Sequence, residues 1–380
     1  MLIPVIRGKE AGRQTYVGKL TFRQFADAID VAPSDVPSDQ KLQRDLLATR
    51  TSAISSYLLN NPDSFLFPGV VAVVQSANYQ PMGDAMPDIG TIDLPDGEFR
   101  YLADGQGRLS GIKKALTVDP SLGDNTVDVK FVVSAGLEHD QQIFADCNLN
   151  TTAVSKSMGI ALDHRTVLHQ IVKTTLNSNP ELKGFIDYEK PGVNAKSDHL
   201  WSLAQCASLI TKATGLTKPA CEKKLSDPVA RGKIVRFLNQ LLSEWVERHE
   251  LMAAVVIGEL SPQVVKQKTI VGTAVFLEAF GVIARLLQFV IIETGEKHWH
   301  YLDGLSRVDF NRSNPEWIGR CIGLNGKMIK NNDSISATAA YIAMQCGLPV
   351  TADLKKANDK VIADRASLNG PQQGELNQCA

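Results

Sequence analysis

Close cysteine pairs are missing from this sequence. Its six cysteines (Cys147, Cys206, Cys221, Cys321, Cys346 and Cys379) are scattered, with no Cys-x-x-Cys among them. That argues against a zinc module or a disulfide scaffold and fits a reducing cytoplasm. An excess of one charge is missing too. Forty Lys and Arg face 41 Asp and Glu, a formal net charge of −1, so any nucleic-acid binding must come from a local patch. No uninterrupted apolar run is long enough to span a bilayer. The most apolar stretch, residues 270–292, is broken by Glu278 and Arg285, which reads as a buried helix, and no membrane partner is expected. The N-terminus has no basic region ahead of a long apolar segment, so no secretory signal is expected. H-E-x-x-H, G-x-x-x-x-G-K-[ST] and G-x-S-x-G are all absent, which removes the common metalloprotease, P-loop and hydrolase readings. His298-Trp299-His300 has no cysteine or carboxylate at ligand spacing; it reads as structural, and no metal site is expected.

What remains is an ordinary globular composition, 44% hydrophobic and 21% charged, with room for about two or three domains. The first 165 residues mix strand and helix. Strands are expected near Leu2–Ile6, Gly69–Val74, Thr91–Leu94, Phe99–Ala103 and Val127–Val133, and helices near Thr21–Ile29, Gln40–Leu59 and Asp140–Cys147. Residues 76–89 read as a turn-rich excursion. Beyond Ser157, helical periodicity dominates at 158–178, 198–214, 229–247 and 270–288. The expectation is therefore an α/β (α+β) protein: a core over 1–165, a helical domain over 166–368, and a frayed tail over 369–380.

The most informative segment is Tyr101-Leu-Ala-Asp-Gly-Gln-Gly-Arg108 with the helix behind it. A strand leads into a tight turn (Asp104, Gly105, Gln106, Gly107), and Leu109, Ile112, Ala115 and Leu116 then recur at helical spacing. Two glycines allow a sharp turn and close approach of a ligand. Backbone N–H groups, the helix dipole and the Arg108 guanidinium would together suit a phosphate oxygen. The plainer reading is a strand-to-helix turn capped by Asp104.

Other clusters invite chemistry. Asn148, Asn150, Thr151, Thr152, Ser155, Lys156 and Ser157 crowd ten residues with neutral donors beside one lysine, as a phosphate-backbone or nucleotide site does; capping and turning is the alternative. Asp163-His164-Arg165 suits a phosphate or acid–base work, although such a histidine is more often structural. Lys212, Lys218, Lys223, Lys224, Arg231, Lys233 and Arg236 are opposed only by Glu222 and Asp227. This is the local excess that a DNA backbone requires, or else a solvated helix face with snorkelling lysines. Asp309 to Trp317, followed by Arg320, either contacts nucleic acid or pins a loop to the core.

Taken in order, these motifs resemble a known family. Asp104-Gly-Gln-Gly-Arg108 resembles the D-G-Q-H-R signature of the DGQHR-domain proteins. With Arg50, Phe67-Pro-Gly-Val-Val71, Asn148-Leu-Asn-Thr151, Asp163-His-Arg165, Asn314-Pro-Glu-Trp317 and Arg320, the chain resembles the DndB family of the bacterial DNA phosphorothioation (sulfur modification) system. The resemblance runs from near residue 1 to about 350. It implies a ParB/sulfiredoxin-like N-terminal core with a helical extension, and a DNA-binding negative regulator of the modification operon rather than the enzyme that inserts sulfur. In such cores the matching turn holds nucleotide phosphates, which would fall here to Gly105, Gln106, Gly107 and Arg108. Gly107 stands where the signature has histidine, so any catalysis by that histidine is lost, whereas backbone phosphate binding would survive.

Two functions follow as expectations. The first is a repressor bound to the duplex DNA of its operon promoter, with Lys212 to Arg236 as the DNA-binding surface; it is not an enzyme, and its partners include other proteins of the modification system and a second copy of itself. The second is an NTP-binding or NTP-hydrolysing DNA enzyme, an ATPase that also nicks DNA. ATP or another NTP with Mg²⁺ would then be the cofactor, and Asp104, Arg108, Asp146 and His164 the catalytic candidates.

Overall fold

The structure, a computed structural model, describes residues 1–29, 48–98, 100–149 and 154–368. The chain forms two compact units, residues 1–152 and 153–380.

The first unit is built on a seven-stranded sheet. Strands β1 (Leu2–Glu10) and β2 (Arg13–Thr21) form a hairpin. Its turn residues Ala11 and Gly12 both have positive φ, 47° and 85°, the sense that matches strand twist. Thr21 and Gln24 make a capping box that opens α1 (Phe22–Ala28), so the strand passes directly into a helix. Then come α2 (Ala48–Asn60), β3 (Val70–Val74), β4 (Asn78–Pro81), β5 (Ile89–Asp93), β6 (Arg100–Asp104), α3 (Gln106–Val118), β7 (Thr126–Val133) and α4 (Leu137–Leu149). The spatial order is β4-β5-β1-β2-β7-β3-β6; β3 and β7 run parallel, and the other pairs are antiparallel.

Helices cover both faces of the β7-β3-β6 half. On one face Phe22, Phe25, Leu58, Leu109 and Ile112 pack with Val70, Ala72, Leu102, Val129 and Phe131. On the other, Ile143 of α4 packs with Val73, Tyr101, Ala103 and Val132. Each such apolar side chain contributes about 1.5–3 kcal/mol on full burial. Double coverage explains the unbroken apolar, valine-rich run of β3. Residues 76–89 contain β4, a short edge strand rather than turns alone.

The second unit is helical. It contains α5 (Lys156–Leu162), α6 (Val167–Asn177), α7 (Pro180–Lys183), α8 (Leu203–Thr214), α9 (Lys218–Lys224), α10 (Pro228–Arg248), α11 (Glu250–Val256), α12 (Pro262–Lys268), α13 (Ala274–Thr294), α14 (Asn332–Gln345) and α15 (Ala352–Leu368). A two-residue parallel ladder joins β8 (Ile186–Asp187) to β9 (Trp201–Ser202). Ser202 with Gln205 then caps α8, so this helix begins five residues later than the expected 198. The core centres on Trp245, whose ring lies 4.3 Å from Phe280, 5.5 Å from Trp201 and 6.1 Å from Phe276. Helix α13 is long and apolar enough to cross a membrane by length and composition, but most of it is buried in this core, and its Glu278 pairs with Lys330 at 2.6 Å. A Cβ on Gly281 would lie 2.4 Å from the Leu209 carbonyl oxygen, so α8 and α13 meet closely at that glycine.

The expected helix over 158–178 is two helices, α5 and α6, separated by a turn at Asp163. The expected core ran to residue 165, whereas α5 and the turn after it pack within the second unit. The expected tail, 369–380, lies outside the described residues.

Candidate nucleic-acid interface

The turn after β6 is shaped by a glycine whose place a side chain would strain. Gly105 is the N-cap of α3 at φ 110°, a backbone region that disfavours any residue with a Cβ. A Cβ there would also lie 2.5 Å from Val70 Cγ1. Because glycine has no side chain, no side-chain hydrogen bond caps this helix start, and Asp104 does not serve as the expected cap. Its carboxylate instead accepts from Arg108 Nη2 at 2.5 Å, and Arg108 Nη1 donates to the Pro68 carbonyl at 2.9 Å. The largely buried Arg108 thus ties the turn to the segment before β3. Gln106 donates back to the Leu102 and Ala103 carbonyls at 2.8 and 3.2 Å. Both side chains fix the turn's shape.

Packing of α2 on α3 supplies what the turn residues do not. A Cβ on Gly111 would come within 2.4 Å of Ile54 Cγ2, so the two helices approach at this glycine. One helical turn earlier, Arg50 of α2 lies against Gly107, its Nε 3.2 Å from where a Cβ would sit. Arg50 is exposed and, among the described residues, forms no ion pair. A guanidinium therefore stands beside the first turn of α3, at Gly107. Nothing in the sequence gives Arg50 this place, because only the Gly111 contact brings it there.

Asn148 joins this region. Its amide donates to the Ala103 carbonyl at 3.2 Å and to the Phe144 carbonyl at 2.9 Å, pinning the end of α4 to the end of β6. Asp146 accepts from Gln142 at 2.7 Å. It lines a pocket of about 190 Å³ with Glu10, Arg13, Thr15, Lys130 and Cys147. Burial, then the nearby Asp104 carboxylate, pushes the Cys147 thiol up; Lys130 pulls it down, while Asp146 and Glu10 add to the rise. Asp104 and Asp146 are thus both electrostatic neighbours of Cys147. Among the described residues, however, no three His, Cys, Asp or Glu side chains converge as a metal site.

The rest of the Asn/Thr/Ser cluster disperses. Asn150, Thr151 and Thr152 lie outside the described residues. Lys156 is an exposed residue of α5 in the second unit. Ser155 caps that helix, and the buried Ser157 donates to the Lys190 carbonyl at 2.6 Å. Asp163-His164-Arg165 is a helix-start device. Asp163 accepts from the Arg165 and Thr166 N–H groups, from the Thr166 hydroxyl and from His169. Partial burial alone would raise its carboxyl, but these hydrogen bonds hold it well below the usual carboxylate range. His164 is exposed, with Lys173 Nζ 3.4 Å from its Nδ1. That arrangement shows no oriented water-activating pair.

The basic stretch has a definite electrostatic structure. Glu222 accepts the Val167 N–H at 2.9 and 3.2 Å, capping α6. Asp227 accepts the Ala230 N–H at 2.8 Å, capping α10. Both carboxylates that oppose the lysines are therefore occupied by backbone. Arg231 donates to Gln170 and Lys212 to Asn332. Lys218, Lys223 and Lys224 on α9, with Lys233 and Arg236 on α10, are exposed and, among the described residues, form no ion pair. The segment Asp309–Trp317 serves the core instead: Trp317 is fully buried and its indole donates to the Asp309 carbonyl at 3.0 Å. Arg320, 2% exposed, holds Glu316 and Asn358.

A family model described as DndB, DNA-sulfur modification-associated, matches residues 3–349. No curated protein and no solved structure matches the chain.

Proposed function

We infer that this chain, which belongs to the DndB family of DNA-sulfur-modification-associated proteins, is a DNA-binding negative regulator of the phosphorothioation genes. One observation carries the DNA-binding part. Five exposed cations on α9 and α10 have no ion-pair partner among the described residues, because Glu222 and Asp227 are held on helix N-termini. In a chain of net charge −1, such a patch concentrates attraction for phosphate on one surface. Regulation rather than sulfur insertion accords with the family's association and with Asp104, Arg108 and Asp163 being engaged in holding turns. The partners that follow are the operon's promoter duplex, a second copy of the chain, and other proteins of the system.

Reversal of Lys233 and Arg236 tests this reading. Both lie in mid-helix and are exposed, so the fold tolerates the change. Each phosphate contact contributes about 0.9 to the slope of log affinity against log salt. Lys233→Glu/Arg236→Glu is therefore expected to weaken binding to promoter duplex and to reduce that slope by about two. An unchanged slope would remove the patch.

A second reading has its own support. The uncapped start of α3, with Arg50 beside Gly107, suits a nucleotide phosphate, and ATP or another NTP with Mg²⁺ would then act there. Arg50→Ala is expected to abolish nucleotide binding or turnover if this turn is a nucleotide site; if neither nucleotide binding nor turnover occurs in the wild type, this second reading fails.

A further inference from the structure

Strand β1 carries an apolar run that one covered face does not explain. Leu2, Ile3, Pro4, Val5 and Ile6 follow one another without a polar residue, the pattern of a strand buried on both faces. In β3 two helical layers account for such a run. In β1 only Ile3 and Val5 enter a core. Leu2 and Ile6 are 64% and 61% exposed, and Pro4 between them is exposed as well.

The neighbouring strands extend this face. Ile6 stands opposite Val17 of β2 and Ile89 of β5, and both are exposed. Beyond them the exposed Met82, just past β4, donates its N–H to the Ile89 carbonyl at 2.8 Å. Met82, Ile89, Ile6 and Val17 therefore form one apolar row across the sheet, and Pro4 and Leu2 continue it along β1. An antiparallel sheet with one face in water ordinarily shows polar residues there. A contiguous apolar patch in their place marks a contact surface.

The charges beside the row select its occupant. Val17 stands opposite Lys130 of β7. Lys130 pairs with Glu10, and Lys19 pairs with Asp128. Farther along the hairpin, Arg13 shares a pocket with Asp146. The four charged side chains that flank the row thus carry no net charge, which leaves nothing to draw a nucleic acid or a protein of one sign. Glu10 and Asp128 disfavour an anionic lipid surface. Contact between two copies about a two-fold axis requires a surface complementary to itself. A surface of one sign would repel its copy, whereas this one is apolar at the centre and balanced at the end. Pairing through the sheet edge is disfavoured, because the edge strand β4 is four residues long and ends in Pro81, which has no N–H to donate.

We propose that the open face of β5, β1 and β2 is a two-fold interface between two copies of this chain, sheet packed on sheet, with Ile6 and Val17 at its centre. This rests on the proposed function only where that names a second copy as a partner. It uses none of the cations on α9 and α10, so the DNA-binding reading can fail without it.

Sedimentation velocity of the full chain without DNA, over a concentration series, tests the proposal beside promoter-duplex binding of the same samples. A monomer–dimer equilibrium is expected, with no larger species, because a two-fold interface closes at two copies. Ile6→Thr/Val17→Thr keeps β-branched residues in both strands and removes four apolar side chains from the dimer, so it should raise the dissociation constant at least about 100-fold. Lysine cross-linking of mixed ¹⁴N- and ¹⁵N-labelled chains gives a readout that needs no variant: Lys19 or Lys130 of one copy should join Lys19 or Lys130 of the other. A chain that stays monomeric at every concentration, a dimer that the double variant leaves intact, or inter-copy cross-links confined to the second unit would each overturn the proposal. A dimer of this kind in a chain that binds no promoter duplex would support the interface and remove the DNA-binding reading alone.

Discussion

Gly105 and Gly107 sit two residues apart in one turn, yet alanine at each should act in opposite directions. Gly105 has φ 110°, and a left-handed backbone costs a residue with a Cβ about 1–2 kcal/mol. Its new methyl would meet Val70 Cγ1 at 2.5 Å and Val70 Cβ at 2.9 Å, on a side chain only 1% exposed that cannot move aside. Overpacking of this kind costs about 1–3 kcal/mol. Gly105→Ala should therefore lose about 3 kcal/mol, a large share of the roughly 5–15 kcal/mol that holds a domain together. Gly107 lies within α3. Its methyl would meet Arg50 Nε at 3.2 Å and Cδ at 3.4 Å, atoms of a flexible exposed side chain. Alanine is favoured over glycine in a helix by about 0.8–1 kcal/mol, so Gly107→Ala should be neutral to mildly stabilising. The four tryptophans all lie in the second unit, so fluorescence does not read this turn. Hydrogen exchange of peptides covering β6 and α3 does. Faster exchange in Gly105→Ala, with unchanged or slower exchange in Gly107→Ala, is expected. Equal effects would refute the geometry of the turn.

Three further outcomes follow from the structure. In the β1–β2 turn Ala11 sits at φ 47°; relief of that conformation by glycine outweighs the entropy it adds, so Ala11→Gly should raise stability by up to about 1 kcal/mol in urea titration. His249 has its pKa lowered by burial from 6.5 to about 4, so the unfolded chain takes up this proton first as pH falls. Its contribution, roughly 3 kcal/mol, is present above pH 6.5 and lost progressively down to about 4; a His249→Gln variant should show a flatter loss of stability across that window in urea titrations. Glu222→Gln weakens the cap on α6 and should cost about 1 kcal/mol in thermal or urea melts, while removing a negative charge from the basic stretch, so its DNA affinity should rise rather than fall.

Legibility in the sequence followed how local each cause is. The valine run of β3 and the Thr21/Gln24 helix start depend on residues close in the chain, and the structure has both. Strand β4 was hidden because a short edge strand of Asn78, Tyr79, Gln80 and Pro81 has one neighbour and no apolar alternation. Helix α14 was hidden for the opposite reason: Ile335, Ala337, Thr338, Ala339, Ala340, Ile342 and Ala343 are all buried, so no polar stripe marks a period. At the turn, the i,i+4 spacing of Asp104 and Arg108 allowed an ion pair, but nothing in their spacing shows Arg108 reaching Pro68. Arg50 lies more than fifty residues before Gly107 and arrives there only through the Gly111–Ile54 contact. Asp163-His164-Arg165 looked like chemistry because the residues of an Asx-type helix start are also those of acid–base sites.

The most direct test of the account is binding of the purified full chain to its operon's promoter duplex and to a scrambled duplex across a salt series. ATP, GTP and Mg²⁺ would be present or absent, with nucleotide release followed in the same tubes. The account predicts promoter preference that persists at physiological salt without nucleotide turnover. Turnover or strand nicking without sequence preference would contradict it and make the turn at Asp104–Arg108 an active site.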